Sequence, residues 1–303
     1  MQQQQAEVEA KPDWLQGTET GYGADEDFSS PSNEGGSPTP FLQRAQTVSS
    51  IISILLSPVA IVLVSIWASS LGGVSWAQGE SKRVFNWHPV LMVTAYAVMN
   101  VGALIFRVSG TSSYQASMKS ADNDGAPITA ETLGSAKRSV VKFFHALIWS
   151  LSFIFGIVAM LAVFKSHNDP ISGFIANLYS FHSWVGVLVL SLYTLQFLLG
   201  ILAFGGFLSG RSRRTSMPVL LEVHKYTGTY VHILVTATIM LGIQEKEGFG
   251  SGCGYEVDSA DLMPLANFGK IPYACKISHG LGLVILLMGL CTSFGLAYFP
   301  VFR

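Results

Sequence analysis

Six apolar stretches constrain this chain more than any other feature. Each is close to the roughly 20 residues that a helix needs to cross the hydrocarbon core of a bilayer. They run over about 48–70, 87–107, 143–164, 180–205, 218–243 and 273–299. A segment immersed in hydrocarbon must satisfy its backbone polar groups internally, so each stretch is expected to be a helix. Charged residues make up 12% of the chain, against about 25% in soluble domains, so lipid is the expected solvent. The expected fold class is an all-α membrane protein with six transmembrane helices, embedded in a lipid bilayer. A formal net charge of -1 gives no electrostatic case for a nucleic-acid partner. The opening MQQQQAEVEA has neither the basic start nor the apolar core of a signal peptide, so insertion is expected to proceed through the spans themselves.

Residues 1–46 are rich in Gln, Gly, Ser, Pro and acids. Such a segment buries too little apolar surface to offset the entropy of ordering it, and it reads as a disordered tail. The rest, 47–303, reads as one transmembrane domain, with a polar, flexible connection over 108–141. Orientation follows from Lys and Arg. Arg107, Lys119, Lys137, Arg138 and Lys142 flank the connection between the second and third spans, and Arg211, Arg213 and Arg214 that between the fourth and fifth. Lys82, Arg83, Lys165, Lys246, Lys270 and Lys276 lie on the other side, spread out and mixed with acids. This bias places both termini and the two basic loops in the cytosol and FNWHP on the outer face. The outward segment 244–272 holds Cys253, with Cys275 just beyond it. An oxidising compartment would allow these two to pair, and free thiols are the alternative. Three cysteines are too few for a disulfide framework or a zinc ribbon, and Cys291 within the sixth span reads as packing.

Ionisable side chains inside a membrane are functional candidates by default, so the seven histidines are informative once sorted by depth. His145 and His224 lie near the cytosolic ends of the third and fifth spans. His88 and His182 lie near the outer ends of the second and fourth. His167 falls at the outer exit of the third span, and His279 near the outer end of the sixth. His232 stands about 12 Å along its helix from His224 and about 80° off that face, so it reads as a buried, hydrogen-bonded residue. Two histidines from different helices at one depth are what a haem iron with two axial imidazoles requires. His145 and His224 form the available cytosolic pair. The outer face has four candidates. Of these, His167 sits at the water interface and better suits a substrate site.

A repeat supports the haem reading. His182 is followed by Gly186 and Gly200, and His224 by Gly228 and Gly242, both as H-x3-G-x13-G. The first glycine lies on the histidine's own face. The second returns to that face about 27 Å further on, near the depth of the opposite pair. Each helix would then offer a ligand to one haem and a smooth surface to the other. Close helix packing through small residues is the alternative explanation.

FNWHPVLMV at 85–93, KFFH at 142–145, VFKSHN at 163–168, LYSFHSWVG at 178–186 and the stretch from HKYTG to LGIQEK at 224–246 resemble the cytochrome b561 family of transmembrane ascorbate-dependent oxidoreductases. The resemblance implies a four-helix bundle of the second to fifth spans, two haem b groups and a homodimer. It pairs His88 with His182 and His145 with His224 as axial ligands. It implies that Lys142, with Arg138 and Arg214, binds ascorbate at the cytosolic face, and that His167 is the substrate histidine at the outer one. It further implies haem contacts from Arg107, Asn177, Tyr179, Ser180 and Glu245. The expected activity is one-electron transfer from cytosolic ascorbate to a ferric chelate or monodehydroascorbate on the other side. Trp149 departs from the family, which often has a second histidine there. A transporter using these histidines for a metal ion or proton is the rival from another class. Asp or Glu within the membrane would favour it, and none is read within the six spans. A second rival is a haem-binding sensor without a substrate site of its own.

Overall fold

The computed structural model describes residues 40–110, 128–204, 210–248, 253 and 271–297, the side chains of 128–136 and 210–218 excepted. Its helices are α1 (Pro40–Ser70), α2 (Ser81–Phe85), α3 (Trp87–Val108), α4 (Ile128–His167), α5 (Phe181–Phe204), α6 (Gly210–Gly248) and α7 (Tyr273–Leu296). Among the described residues, six helical stretches are long and apolar enough to cross a membrane: Pro40–Ser70, Ser81–Val108, Lys137–His167, Phe181–Phe204, Val219–Gly248 and Tyr273–Leu296. The chain is an all-α, multi-pass membrane protein.

Two helices start earlier than their apolar pattern suggests. α1 begins at Pro40, inside the segment expected to be a disordered tail, and α4 begins at Ile128, inside the expected flexible connection. Proline suits the first position of a helix, where its missing N–H costs nothing. Ahead of the third span, ITAETLGSAKR is rich in helix formers, so the helix continues beyond the apolar core. The early turns of α1 also have a partner: buried Gln46 donates to the Phe294 and Ala297 carbonyls at 3.2 and 2.7 Å.

α3 packs on α4, α5 on α6, and α6 also touches α3. α4 meets α5 through aromatic contacts of Trp149 with Tyr193 and of Phe153 with Phe197. α3 to α6 thus each touch the next in turn, and α3 stands across from α5 and α4 from α6. α1 and α7 pack on each other and on α3, and α7 also on α6. A buried polar knot ties α1, α3 and α7. Asn100 donates to the Ser53 carbonyl and the Ser57 hydroxyl at 3.1 Å each, Ser53 Oγ donates to the Met288 carbonyl at 3.1 Å, and the Thr292 hydroxyl donates to Asn100 Oδ1. Interhelical hydrogen bonds in membranes contribute about 0.6 kcal/mol each on average, so the knot serves mainly to fix helix register.

At the end of the molecule that carries His88, two connections cross. Asp169 accepts from the Gly79 and Ile171 amides at 2.7 and 3.0 Å and from the Ser172 hydroxyl at 3.0 Å. Burial raises the Asp169 pKa, but these hydrogen bonds outweigh it and hold the carboxyl below its ordinary value. A depressed carboxylate contributes stability that is present above its unfolded-state pKa and lost as pH falls through the folded value. Amide exchange at Gly79 and Ile171 should therefore be slow at neutral pH and accelerate, relative to intrinsic rates, on acidification. Asp169→Ala should show the fast exchange already at neutral pH. Unchanged protection in that variant would show that the clamp lies elsewhere. At the same end Cys253 and Cys275 form a disulfide with a Cα–Cα distance of 5.4 Å, so the pairing alternative holds rather than two free thiols.

Candidate functional site

The chemistry-bearing residues gather at two levels. His88 opens α3 and His182 opens α5, and these two helices run in the same direction, so both rings lie at one end. Their ring centroids are 6.1 Å apart, with the planes at 80°. His145 on α4 and His224 on α6 meet at the other end, with centroids 6.3 Å apart and planes at 69°. Each pair joins helices that stand across from one another. Two imidazoles on opposite sides of one metal ion, each nitrogen about 2 Å from it, have centroids roughly 6 Å apart.

Ring nitrogens and glycines fit the same use. His88 Nδ1 donates to the Ala159 carbonyl at 3.3 Å, His145 Nδ1 to Gly102 at 2.8 Å and His182 Nδ1 to Thr238 at 3.0 Å. A carbonyl can only accept, so these rings carry their proton on Nδ1 and present a lone pair on Nε2. Gly242 lies against the His182 ring, where a Cβ would stand 2.8 Å from Cε1, and Gly200 lies against His224, where it would stand 3.3 Å from Cε1. The distal glycine on each helix thus faces the histidine of the other. The proximal glycines do something different: Gly186 faces Thr238 and Gly228 faces Gln196. Three of the four rings thus offer Nε2 to a metal, and the cleared ring faces at both ends leave room beside the imidazoles, as a haem site would require.

The remaining predicted residues divide between the two ends. Around His88, Phe85 stacks on His167 at 6.1 Å and 5° and lies 5.7 Å from His88. His167 is 8% exposed, and its Nδ1 donates to Asn177 Oδ1 at 3.1 Å. Ser180 donates to Glu245 at 2.9 Å. Burial and the Glu245 charge push the phenol of Tyr179 above its ordinary pKa. Lys246, expected in the outward segment 244–272, sits in the last turn of α6 with its ammonium 4.5 Å above the Phe85 ring. His279 is exposed and 3.6 Å from Glu247. At the opposite end, half-buried Arg107 ends α3 beside Phe106, whose ring lies 5.2 Å from His145. Lys142 is exposed one turn before His145, and Arg138 lies a further turn back. Arg214 falls on α6, and its side chain lies outside the described residues.

Two expectations need correction. His232 is buried at 1% exposure beside Tyr96, but neither ring nitrogen has a hydrogen-bond partner among the described residues. The fifth span, read over 218–243 as free of acids, carries Glu222 near its start, where it is exposed and paired with Lys225 at 2.5 Å. Phe85, Gln196 and Lys246 are site neighbours that the histidine pattern did not single out. Gln196 had a readable signal, as a polar residue inside an apolar span at the same offset from His182 as Thr238 has from His224 (182 to 196, 224 to 238).

Six candidate spans with a pair of histidines at each end define an integral membrane protein with two candidate cofactor sites. The profile described as eukaryotic cytochrome b561 matches residues 130–250. The probable ascorbate-specific transmembrane electron transporter 2 of Oryza sativa subsp. japonica is 30% identical over 218 residues, covering 70% of this chain and 78% of that protein. The transmembrane ascorbate ferrireductase 1 of Arabidopsis thaliana is 30% identical over 217 residues, covering 71% and 78%. The plasma membrane ascorbate-dependent reductase CYBRD1 of Xenopus tropicalis is 28% identical over 241 residues, covering 79% and 70%. The chain belongs to the cytochrome b561 family.

Proposed function

We propose that the protein passes single electrons from ascorbate at its cytosolic face to a ferric chelate or monodehydroascorbate at the other. In this reading α3 to α6 form a four-helix bundle. His145 and His224 hold a haem b at the cytosolic end, and His88 and His182 hold another at the outer end. Bound there, the two haems would supply one-electron carriers near both membrane faces. The observation that carries the reading is the pair of opposed imidazole sets, each beside a glycine that clears the ring of the facing helix.

The chain's own groups have distinct tasks. Lys142 and Arg138, with Arg214, attract the ascorbate anion to the His145 end. Ascorbate that loses one electron leaves as monodehydroascorbate and sheds a proton to the solvent at that face. At the other end Asn177 fixes the proton of His167 on Nδ1, which leaves Nε2 to exchange a proton with a substrate. Monodehydroascorbate takes up a proton with its electron and uses that capacity, whereas a ferric chelate does not need it. Phe85 lies between His167 and His88. The positive face at Lys142 and Arg138 is the cytosolic one by charge bias, and a disulfide at the opposite end suits a non-reducing compartment.

Purified protein should give a b-type dithionite-reduced minus oxidised spectrum, and ascorbate should produce most of the same change. A protein without that signal would leave the transporter reading in its place. Haem that dithionite reduces but ascorbate does not would point to the sensor instead.

A further inference from the structure

Three of the four paired histidines are anchored in one way, and the fourth is not. His88, His145 and His182 each place Nδ1 on a main-chain carbonyl of a neighbouring helix, from Ala159, Gly102 and Thr238. A main-chain carbonyl can neither be substituted nor turned round. His224 instead has its Nδ1 2.9 Å from the side-chain Nε2 of Gln196. The same nitrogen donates to the His224 carbonyl at 2.6 Å, and Gln196 Oε1 accepts from the Thr227 hydroxyl at 2.6 Å. Gln196 is 6% exposed. It fits because position 228 is glycine: a Cβ there would stand 3.0 Å from the amide nitrogen.

The difference matters chemically. A metal on Nε2 leaves the ring proton on Nδ1, so the partner of Nδ1 must then accept. A primary amide can meet that demand by turning over, which brings Oε1 to Nδ1. Nε2 then faces Thr227, whose hydroxyl can accept while donating to the Val223 carbonyl at 2.7 Å. The turned oxygen must draw back from the His224 carbonyl, so the rearrangement includes a small shift of the side chain. The strength with which an outer partner accepts the Nδ1 proton sets the basicity of the ligating nitrogen, and a more basic ligand favours ferric iron.

We infer that Gln196 is the positioning residue of His224, and that through its amide oxygen it sets the reduction potential of the haem at the His145–His224 end without affecting the other. The inference rests on the haem reading above.

The test is a potentiometric titration of the purified full chain, followed at the separate ferric low-spin resonance signals of the two haems. Gln196→Leu removes the acceptor and should raise the potential of the His145–His224 haem. Gln196→Glu supplies a stronger acceptor and should lower it at neutral pH. The other haem should hold its potential in both. Shifts of opposite sign from one position are not expected of a residue that only fills space. A leucine variant that loses this haem alone, beside a glutamate variant that keeps it at lower potential, supports the inference as well. Shifts of the same sign, no shift, movement of the other haem, loss of both haems, or a glutamate variant without the haem would overturn it. A wild-type chain with no b-type spectrum would instead remove the haem reading itself, so the two failures are distinct.

Discussion

A valine at position 242 should abolish haem binding between His88 and His182 and leave the His145–His224 haem in place. The result runs against the residue's position in the chain, because Gly242 shares α6 with His224. Its neighbour in space is the ring of His182, on α5. A Cβ at 242 would come within 2.8 Å of His182 Cε1 and 3.2 Å of both ring nitrogens, closer than non-bonded carbons approach. Alanine would already displace the imidazole, and valine adds two branches that cannot rotate out of the way within a helix. Gly200→Val is the mirror case: it should remove the haem at His224, where a Cβ would stand 3.3 Å from Cε1. Haem-to-protein ratio together with the surviving low-spin signal measures both. Each variant should hold one haem instead of two, with the lost one on the opposite helix's ligand. Loss of the haem ligated by the variant's own helix would show that the glycines only let helices pack.

His224→Ala should also leave one haem per chain, with a further consequence at the substrate level. The alanine removes a ligand at the end where Lys142 and Arg138 stand. Ascorbate should then fail to reduce the remaining haem at more than a small fraction of the normal rate, while dithionite reduces it fully. His182→Ala should do the reverse: one haem lost, and rapid reduction of the other by ascorbate retained. Stopped-flow reduction of the two variants reads this directly. Equal ascorbate rates in both would mean that the reductant does not enter at the His145 end.

Much of the fold was legible because the bilayer imposes a length and a composition that single residues cannot hide. The six spans follow from apolar runs, and the two levels of histidine follow from rise per residue along those runs. The spacing of Gly200 and Gly242 is legible for the same reason, since a straight helix returns to its face after five turns. Helix starts were less legible. Pro40 and Ile128 begin helices in polar sequence, where hydropathy has no signal and where a partner such as the carbonyl of Ala297 decides. The anchors of His88, His145 and His182 could not be read at all, because a main-chain carbonyl looks the same at every residue. Phe85 and Lys246 come together only once the ends of α2 and α6 are side by side, which is a fact of packing rather than pattern. That the His232 nitrogens find no partner among the described residues is likewise a property of its surroundings, and burial alone gave no warning of it.

The crossed use of α5 and α6 has a consequence for how such a chain is made. Gly242 and Thr238 of α6 complete the surroundings of His182, while Gly200 and Gln196 of α5 complete those of His224. During synthesis α5 is inserted before α6, and at that stage His88 and His182 are both present in the membrane. Their site nonetheless lacks its glycine wall and the carbonyl that sets the His182 tautomer. Neither pocket is finished until the hairpin of α5 and α6 has closed in register. If these histidines hold haem as proposed, cofactor loading would wait on that hairpin: a nascent chain stalled after the fourth span would carry both proposed outer ligands without a finished pocket.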